Sequence, residues 1–512
     1  MAEPHDAERT VAKALRSAAL ALVGAVAGCQ PTTTEVQLKV VLPVDASDLD
    51  ATNNVTVLLH PDGFSQTIAT IGIDFALDAE LEPDAKLRQL DVYLARNETL
   101  LAWGRTPSFT YEAAASRGAA VFVARPGRLS TFPLRFALDD PDVLAAHALG
   151  HGLVILSGDG TTTFLDGLTL DVRGAAPLTG KLPAADDGAF VGDALGGVQR
   201  VAWNEGLRAF RFDPGDNTWI ERSLADASNV GPRPGAAHLV DDAREVLLLY
   251  GGGEQTDVLA VTLLPGGPAI QRVDGITLDT PRRGASAMAL VREGIGLDSA
   301  VLFGSEDPAA GVIHLAGRDQ TVGPDGPWVG GSCVQLDRGG ANASLRVLCA
   351  GGLREDAPTS DAILLTVPGR SSGDAPTATE LPELLESPME HVFWLLDGDA
   401  VHAQGGGRLL RVERETLAVE EIQETARSRG GSCVRLPTGS SYLVGGVDGA
   451  HGLGGGRRPD PGDLLAADRA IGRHRARGPR VARHAERVEQ ALGLLPHVDG
   501  LGHGLVSRRH AG

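Results

Sequence analysis

A short segment of this chain occurs twice, and the repeat limits the possible folds more than any other feature. Gly330-Gly-Ser-Cys-Val-Gln-Leu336 recurs 100 positions later as Gly430-Gly-Ser-Cys-Val-Arg-Leu436. Each copy precedes an apolar run that ends in paired glycines, and similar junctions lie near positions 158, 204, 252, 304, 352, 406 and 446. A spacing of about 40 to 55 residues is typical of four-stranded propeller blades. Seven junctions predict seven blades, and six remain open because the second is inferred only from Val198–Trp219.

Two further elements of these repeats resemble the kelch and galactose-oxidase-like propellers. An Arg-x-Gly lead-in occurs as Pro232-Arg-Pro-Gly235, Pro281-Arg-Arg-Gly284 and Arg427-Ser-Arg-Gly430, and Phe210-Arg-Phe-Asp-Pro-Gly-Asp-Asn-Thr-Trp219 matches their closing strand, Asp-Pro turn and Trp. The resemblance implies an all-β fold in which residues 139–450 form a six- or seven-bladed kelch-like β-propeller. The alternative is an irregular all-β array that does not close into a ring.

The segment before the repeats alternates apolar and polar residues with period two. Val36–Leu42, Asn54–Leu59, Thr67–Ile73 and Leu90–Leu94 each show this alternation, which is typical of half-buried strands. About seven short strands in about 100 residues predict a small β-sandwich. We therefore assign residues 35–138 to a β-sandwich domain that spaces or docks the larger domain.

The first 34 residues have the parts of an export leader. Lys13 and Arg16 precede an uncharged run that ends in Val26-Ala-Gly-Cys29, and the apolar region is too short to span a bilayer. Val26–Cys29 resembles the lipobox of bacterial lipoproteins. The resemblance implies a signal peptide over residues 1–28, acylation at Cys29 and a tether over residues 29–34.

The predicted localisation follows from this leader: an exported lipoprotein, anchored by its lipid at the outer membrane or the periplasmic face of the cell envelope. Two alternatives stay open. Residues 12–27 could be an ordinary buried helix, and the acidic residues among the first ten suggest that translation starts near Val11.

The cysteines point to one disulfide. Cys333 and Cys349 lie sixteen positions apart on predicted neighbouring strands of one blade, and an exported protein folds where disulfides persist. We predict a bond between them. The position equivalent to Cys349 in the second copy is Leu443, so Cys433 is predicted to be a free, buried thiol.

Charge and motif content favour binding over catalysis. A formal net charge of −20 argues against a nucleic-acid partner. His147 and His151 have a spacing that could bind a metal on a helix, but no third ligand is evident and nearby glycines weaken a helix. We identify no catalytic, metal-binding or cofactor-binding set. The galactose-oxidase resemblance does not extend to its copper site, because none of the four Tyr adjoins a His or Cys.

The leading hypothesis is a cell-envelope lipoprotein whose propeller binds a protein or glycan partner without catalysis. One alternative is a sugar-acting propeller enzyme of the isomerase, oxidase or lyase type. The other is a purely structural envelope spacer. The oligomeric state is not predicted.

The composition changes abruptly in residues 451–512. The segment from 452 onwards has eleven Arg against six Asp and Glu, and it includes Arg473-His-Arg-Ala-Arg477. A basic tail of this kind could bind anionic surfaces. The change falls inside a repeat rather than after one, so we favour a shifted reading frame in the gene.

Overall fold

The computed structural model describes residues 34–444 and 479–481, with gaps at 44–45, 63, 71–76, 82–83, 127, 132–142, 150–151, 158–159, 161, 176–187, 193–196, 214–217, 225–229, 242–244, 264–268, 307–309, 315–318, 324–325, 398–399, 425–431 and 436–440. The predicted signal peptide, Cys29 and almost all of the tether and tail lie outside these residues. The described chain is nearly all β-structure. None of its helices is both long and apolar enough to cross a membrane.

The N-terminal part contains two sheets and one short helix. Its elements are β1 (Thr34–Val41), a 3₁₀ helix (Ala46–Ala51), β2 (Asn54–His60), β3 (Phe64–Ala69), β4 (Leu77–Leu81), β5 (Gln89–Arg96), β6 (Thr99–Arg105), α1 (Tyr111–Arg117) and β7 (Ala119–Phe122). One sheet has the order β4-β1-β7 and the other β3-β2-β5-β6. The predicted period-two alternation is confirmed in β2, where every second residue is buried. The buried residues of both sheets form one hydrophobic core.

The rest of the described chain forms seven four-stranded antiparallel sheets, which we call the ring sheets and number in chain order, and one small extra sheet. A strand that precedes them, β8 (Leu129–Thr131), completes the seventh. The first sheet contains β9 (Val143–Leu149), β10 (Gly152–Ser157), β11 (Thr162–Leu165) and β12 (Val172–Ala175). The second contains β13 (Gly188–Gly192), β14 (Val198–Ala202), β15 (Arg208–Asp213) and β16 (Thr218–Arg222). The third contains β17 (Ala237–Asp241), β18 (Val246–Tyr250), β19 (Asp257–Thr262) and β20 (Ala269–Thr277).

The later strands continue the same pattern, with one small extra sheet. The fourth ring sheet contains β21 (Ser286–Arg292), β22 (Gly296–Phe303), β23 (Ala310–His314) and β24 (Asp319–Thr321). The next seven strands along the chain belong to two sheets: β25 (Trp328–Val329), β26 (Ser332–Gln335), β27 (Leu345–Ala350), β28 (Leu353–Arg354), β29 (Ala357–Pro358), β30 (Ala362–Val367) and β31 (Thr377–Leu381). The order β26-β27-β30-β31 is the fifth ring sheet, and β25-β28-β29 is the extra one. The sixth ring sheet contains β32 (Phe393–Asp397), β33 (Ala400–Gly405), β34 (Arg408–Glu413) and β35 (Val419–Glu424). The seventh contains β36 (Ser432–Arg435), β37 (Ser441–Val444) and β38 (Pro479–Val481), together with β8.

The ring sheets are arranged radially. In the first six, the first strand along the chain lies at one end of the sheet, and these first strands are in contact: β9 with β13, β13 with β17, β17 with β21, β21 with β26 and β26 with β32. In the seventh, β36 lies at one end and contacts β9, while Leu129 of β8 packs on Leu395 and Leu409 of the sixth sheet, so the series returns to its start. Radial four-stranded sheets around a common centre are the architecture of a β-propeller.

The seventh ring sheet joins distant parts of the chain. Its order is β36-β37-β38-β8, so Leu129–Thr131 forms the outermost strand and the tail strand Pro479–Val481 the one beside it. The side-chain amide of Gln423, on the outermost strand of the sixth sheet, hydrogen-bonds the backbone of Leu129 at 3.0 and 3.4 Å. Residues 129–131, which the sequence places in the N-terminal domain, therefore pair within the ring.

The N-terminal part packs directly on the first ring sheet, where Phe122 of β7 shares a buried cluster with Leu153 and Leu165, and it also contacts one loop of that sheet. Leu168, between β11 and β12, is buried in the N-terminal core. Asp166 accepts hydrogen bonds from the backbone N–H groups of Leu168 and Thr169, and it pairs with Arg117 of α1 at 2.8 Å. The backbone of Leu168 also accepts a hydrogen bond from Ala120 at 2.6 Å. The ring and the N-terminal sheets thus share buried residues.

Glycine ends the second strand where neighbouring ring sheets meet. All seven predicted apolar-to-glycine junctions fall at the end of a second strand. Gly251 has φ +62°, and a Cβ atom there would lie 2.1 Å from the carbonyl oxygen of Pro281 in the lead-in to the next sheet. Gly304 has φ +78° and would place a Cβ 1.9 Å from the oxygen of Gly330. Only glycine permits this backbone approach.

The Arg-x-Gly lead-in has a structural role. The buried guanidinium of Arg233 donates to the carbonyl oxygens of Gly251 at 2.9 Å and Asp257 at 3.2 Å, and it pairs with the Asp257 carboxylate. It therefore joins the start of the first strand to the loop between the second and third strands. The glycines that follow the lead-in arginines join neighbouring sheets, because Gly284 N–H donates to Gly235 O at 2.9 Å and Gly330 N–H to Gly284 O at 3.1 Å.

The repeated Gly-Gly-Ser-Cys segments lead into the first strands of the fifth and seventh ring sheets. Cys333 pairs directly with Cys349 across β26 and β27, and the two residues are joined by a disulfide with their Cα atoms 4.0 Å apart. In the seventh sheet the same register places Cys433 opposite Leu443. The side chain of Cys433 lies outside the described residues.

Replacing Arg233 with methionine tests the lead-in. We expect Arg233→Met to lower the free energy of unfolding by about 3 kcal/mol, because two carbonyl groups lose a buried donor and the partly buried Asp257 carboxylate loses one of its two cationic partners. Arg272, whose side chain is 69 % exposed, also contacts Asp257 and provides a matched control. Arg272→Met should cost less than about 1 kcal/mol. Equal losses in urea titrations would contradict the assigned role.

The disulfide is tested by reduction. We expect a Cys333→Ala/Cys349→Ala protein to unfold with a free energy about 3 kcal/mol lower than the unsubstituted protein, because the bond restricts the unfolded chain. Dithiothreitol should shift the thermal midpoint of the unsubstituted protein and leave that of the double variant in place. A midpoint that reductant does not move in either protein would show that the bond contributes no stability.

Candidate binding site

The inner strands of the first three ring sheets hold five polar and aromatic side chains in two groups, one at the junction of the first and second sheets and one at the junction of the second and third. We call this set the inner cluster: His147 on β9, Phe190 on β13, Arg200 on β14, Trp203 just after β14, and His238 on β17. The rings of His147 and Phe190 are 6.2 Å apart, and those of Trp203 and His238 are 5.2 Å apart. Four of the five lie on or next to the two innermost strands of the second and third sheets.

Arg200 is the buried cation of the inner cluster. It stands opposite Phe190 in the β13–β14 register, and its guanidinium carbon lies 5.0 Å from the centre of the Phe190 ring. A Cβ atom at Gly188 would lie 2.5 Å from Arg200 Nη2. The absence of a side chain at Gly188 therefore makes room for the guanidinium, and the Phe190 ring face stabilises its charge.

His238 is the exposed member of the inner cluster. Protein atoms that surround the imidazole on its other sides lower its pKa to about 4, first by desolvating the imidazolium and second through the positive charge of Arg200. The ring is therefore neutral at physiological pH. A neutral imidazole offers one hydrogen-bond donor and one acceptor.

The His238 ring is better suited to binding than to proton transfer. A general acid or base works best when its pKa lies near the working pH, and a pKa of about 4 is far below neutrality. Trp203 packs at an interplanar angle of 55° and limits how the imidazole can turn. The inner cluster thus presents a neutral, oriented hydrogen-bonding group close to a buried positive charge.

The other residues singled out from the sequence do not form a second site. His147 lies on a strand rather than a helix, and His151 is outside the described residues. In the described part of the chain, no group of three or more His, Cys, Asp or Glu side chains is placed to bind a metal ion. Cys333 and Cys349 are brought together, but on the fifth ring sheet, apart from the inner cluster. Cys29 is not described.

A second polar network in the N-terminal part is internally satisfied. The fully buried carboxylate of Asp91 accepts hydrogen bonds from Arg105 Nε at 2.5 Å and Nη2 at 2.7 Å, and from Tyr93 Oη at 3.2 Å. His60 Nε2 lies 3.2 Å from the same carboxylate. Because the protein's own side chains occupy the carboxylate, we assign this network to the stability of the β3-β2-β5-β6 sheet.

Sequence reasoning identified one member of the inner cluster, His147, and missed the others. Arg200 could have been recognised, because it is the one charged residue in the run Val198–Trp203, whose other residues are apolar except Gln199. Such a residue is buried only when the protein compensates its charge. His238 gives no comparable signal, because its role depends on Arg200 and Trp203 of the neighbouring sheet.

Comparison with known proteins adds little beyond the fold. No family model and no curated protein matches the sequence. Among solved structures, the chain is similar to the β-propeller domain of Cps50 (Swd1) from Myceliophteria thermophila, with 13 % sequence identity and a TM-score of 0.39, over 61 % of this chain and 95 % of that one. A likeness this distant supports no argument about function, and the propeller assignment here depends on the order and contacts of the strands.

Proposed function

We propose that this protein is an exported lipoprotein, anchored through Cys29, whose propeller binds a protein or glycan partner without catalysing a reaction. In this proposal the seven ring sheets are the blades of a kelch-like propeller, and the two N-terminal sheets form a β-sandwich that docks it. The sandwich proposal is supported by the core that both sheets share. The kelch proposal is supported by the lead-in role of Arg233.

The observation that favours binding is that the His238 side chain is both exposed and uncharged. It is exposed near the ring centre and neutral at physiological pH, so it can donate and accept hydrogen bonds. The charge of buried Arg200 is close enough to lower the pKa of the His238 imidazole and keep it neutral. A partner that presents hydroxyl, amide or carboxylate oxygens fits this arrangement.

The test of function uses the mature protein purified from membranes in detergent. It is applied to a glycan array and to a panel of purified envelope proteins, with a calorimetric assay for sugar turnover. We expect His238→Ala to weaken binding of the recognised partner by at least about tenfold, the loss of one good hydrogen bond in a desolvated site. Arg272→Ala, on an outermost strand, should leave binding unchanged.

Two outcomes would contradict this proposal. Turnover of a sugar that depends on His238 or Arg200 would show that the ring catalyses a reaction. Failure to bind any member of either panel would favour a structural spacer.

The protonation of His238 gives a prediction that needs no partner. In an NMR titration we expect its imidazole to change charge near pH 4 rather than at 6.5. The unfolded chain takes up this proton at higher pH than the folded chain, so the contribution of His238 to stability is full above about pH 6.5 and falls as the pH drops towards 4. Arg200→Met should raise the pKa, whereas Arg200→Lys, which retains the charge, should not. An ordinary pKa near 6.5 would contradict the assigned environment.

Anchoring is tested by metabolic labelling. Cells that express the protein with labelled palmitate should incorporate label into it, and Cys29→Ser should abolish incorporation because no other residue can become the N-terminal lipidated cysteine. Cys433→Ser is the matched control and should retain the label. Label that persists in Cys29→Ser would exclude this anchor.

A further inference from the structure

The strand β3 forms one end of the β3-β2-β5-β6 sheet, and no described strand pairs with its outer side. The side chains of Ser65, Gln66, Thr67 and Ala69 are exposed. The Thr67 hydroxyl lies 3.1 Å from that of Thr56 on β2, so the side chain is held by a hydrogen bond within the sheet. The outer side of β3 is thus an ordered and accessible edge.

The hydrogen-bond pattern identifies the backbone groups at this edge. Thr70 N–H donates to Asn53 O at 3.0 Å, and the register pairs Asn54 with Ala69. In an antiparallel pair, residues alternate between bonding the neighbouring strand and facing away from it. Positions 64, 66 and 68 therefore bond β2. The N–H and C=O groups of Ser65, Thr67 and Ala69 face outward.

The outer edges of the ring are protected, whereas the edge of β3 is not. Proteins discourage unwanted strand pairing by placing charged residues or proline on edge strands. The outermost strands of the first six ring sheets each contain a charged residue, among them Arg173, Glu221, Arg272, Asp319, Glu380 and Glu420. In the seventh sheet, β8 has no charge, but Gln423 hydrogen-bonds its backbone. The segment Phe64–Ala69 contains neither a charge nor a proline.

We propose that β3 pairs antiparallel with β3 of a second copy of this chain, which joins the two N-terminal sheets into one eight-stranded sheet with two-fold symmetry. Pairing centred on Thr67 places Thr67 opposite Thr67 and Ser65 opposite Ala69, so each outward N–H and C=O of one copy meets its complement on the other. The facing side chains are small and uncharged.

Charge favours a second copy at the edge of β3. Two chains that each have a net charge of −20 repel one another over most of their surfaces. The edge of β3 is a stretch where two copies can approach without placing like charges opposite each other. A six-residue strand pair buries less than the roughly 1,000 Å² of a stable interface. The dimer is therefore weak and reversible, with a dissociation constant on the order of 10 to 100 µM.

The first experiment measures self-association of the purified mature protein by sedimentation equilibrium from about 1 to 500 µM, a range that spans this affinity. We expect a concentration-dependent monomer and dimer mixture. Thr67→Lys places two like charges opposite each other and should leave only monomer. Thr67→Pro should do the same, because it removes an outward N–H that β2 does not use. Ala269→Lys, on the outermost strand β20, is the control and should associate normally.

The second experiment traps the pair covalently. In a Cys29→Ser background, oxidised glutathione should convert Thr67→Cys into a disulfide-linked dimer, two thiols losing two electrons and two protons to the oxidant. Ala269→Cys on β20 should remain monomeric. A protein that stays monomeric at every concentration, or a dimer that Thr67→Lys does not disrupt while thermal unfolding shows both proteins folded, would overturn the proposal. Equal cross-linking of both cysteine variants would also overturn it.

Discussion

The ring depends on close backbone contact between neighbouring sheets. At Gly251 and Gly304 the end of a second strand meets the lead-in of the next sheet so closely that no Cβ atom fits. This approach allows backbone hydrogen bonds between sheets, such as Gly252 N–H to Pro281 O at 2.8 Å and Gly352 N–H to Met389 O at 2.9 Å. Side-chain packing between sheets fixes their separation only approximately, whereas these bonds fix the position of each sheet relative to the next. The first strands can then meet around a common centre.

Buried arginines have two different roles in this ring. Arg233 satisfies backbone carbonyls and a carboxylate within its own sheet, so its charge is compensated locally. Arg200 lies against an aromatic ring, and its charge acts on the imidazole of the next sheet. The difference follows from position. Arg233 lies where a loop turns and carbonyl groups are available, whereas Arg200 lies within β14, where the backbone groups are used in sheet pairing.

Much of the fold could be predicted from the sequence, because the signals are local. Period-two alternation in Asn54–Leu59 reflects the burial of one face of a strand, and the glycines that follow Val246–Tyr250 mark a place where only glycine allows the next sheet to approach. The pairing of Leu129–Thr131 with the last ring sheet could not be predicted, because three residues without a distinctive pattern pair with a segment far away in sequence. The inner cluster was missed for a related reason. The environment of His238 depends on Trp203 and Arg200 of the neighbouring sheet. Side-chain contacts of this kind, unlike the close backbone approaches at Gly251 and Gly304, do not require one residue type at one position.

The closing strand links the two parts of the molecule. Leu129 and Gln423 are 294 positions apart, so the contact that completes the seventh sheet closes a very long loop. The entropy lost on closing so long a loop grows only slowly with its length, and the buried contacts of Leu129 with Leu395 and Leu409 offset part of it. Leu168 extends from the other side into the N-terminal core. Because a segment leaving the N-terminal sheets completes the ring, and a loop of the ring completes the N-terminal core, neither part has all its buried contacts without the other. The two parts should therefore fold and unfold together rather than as independent domains joined by a linker.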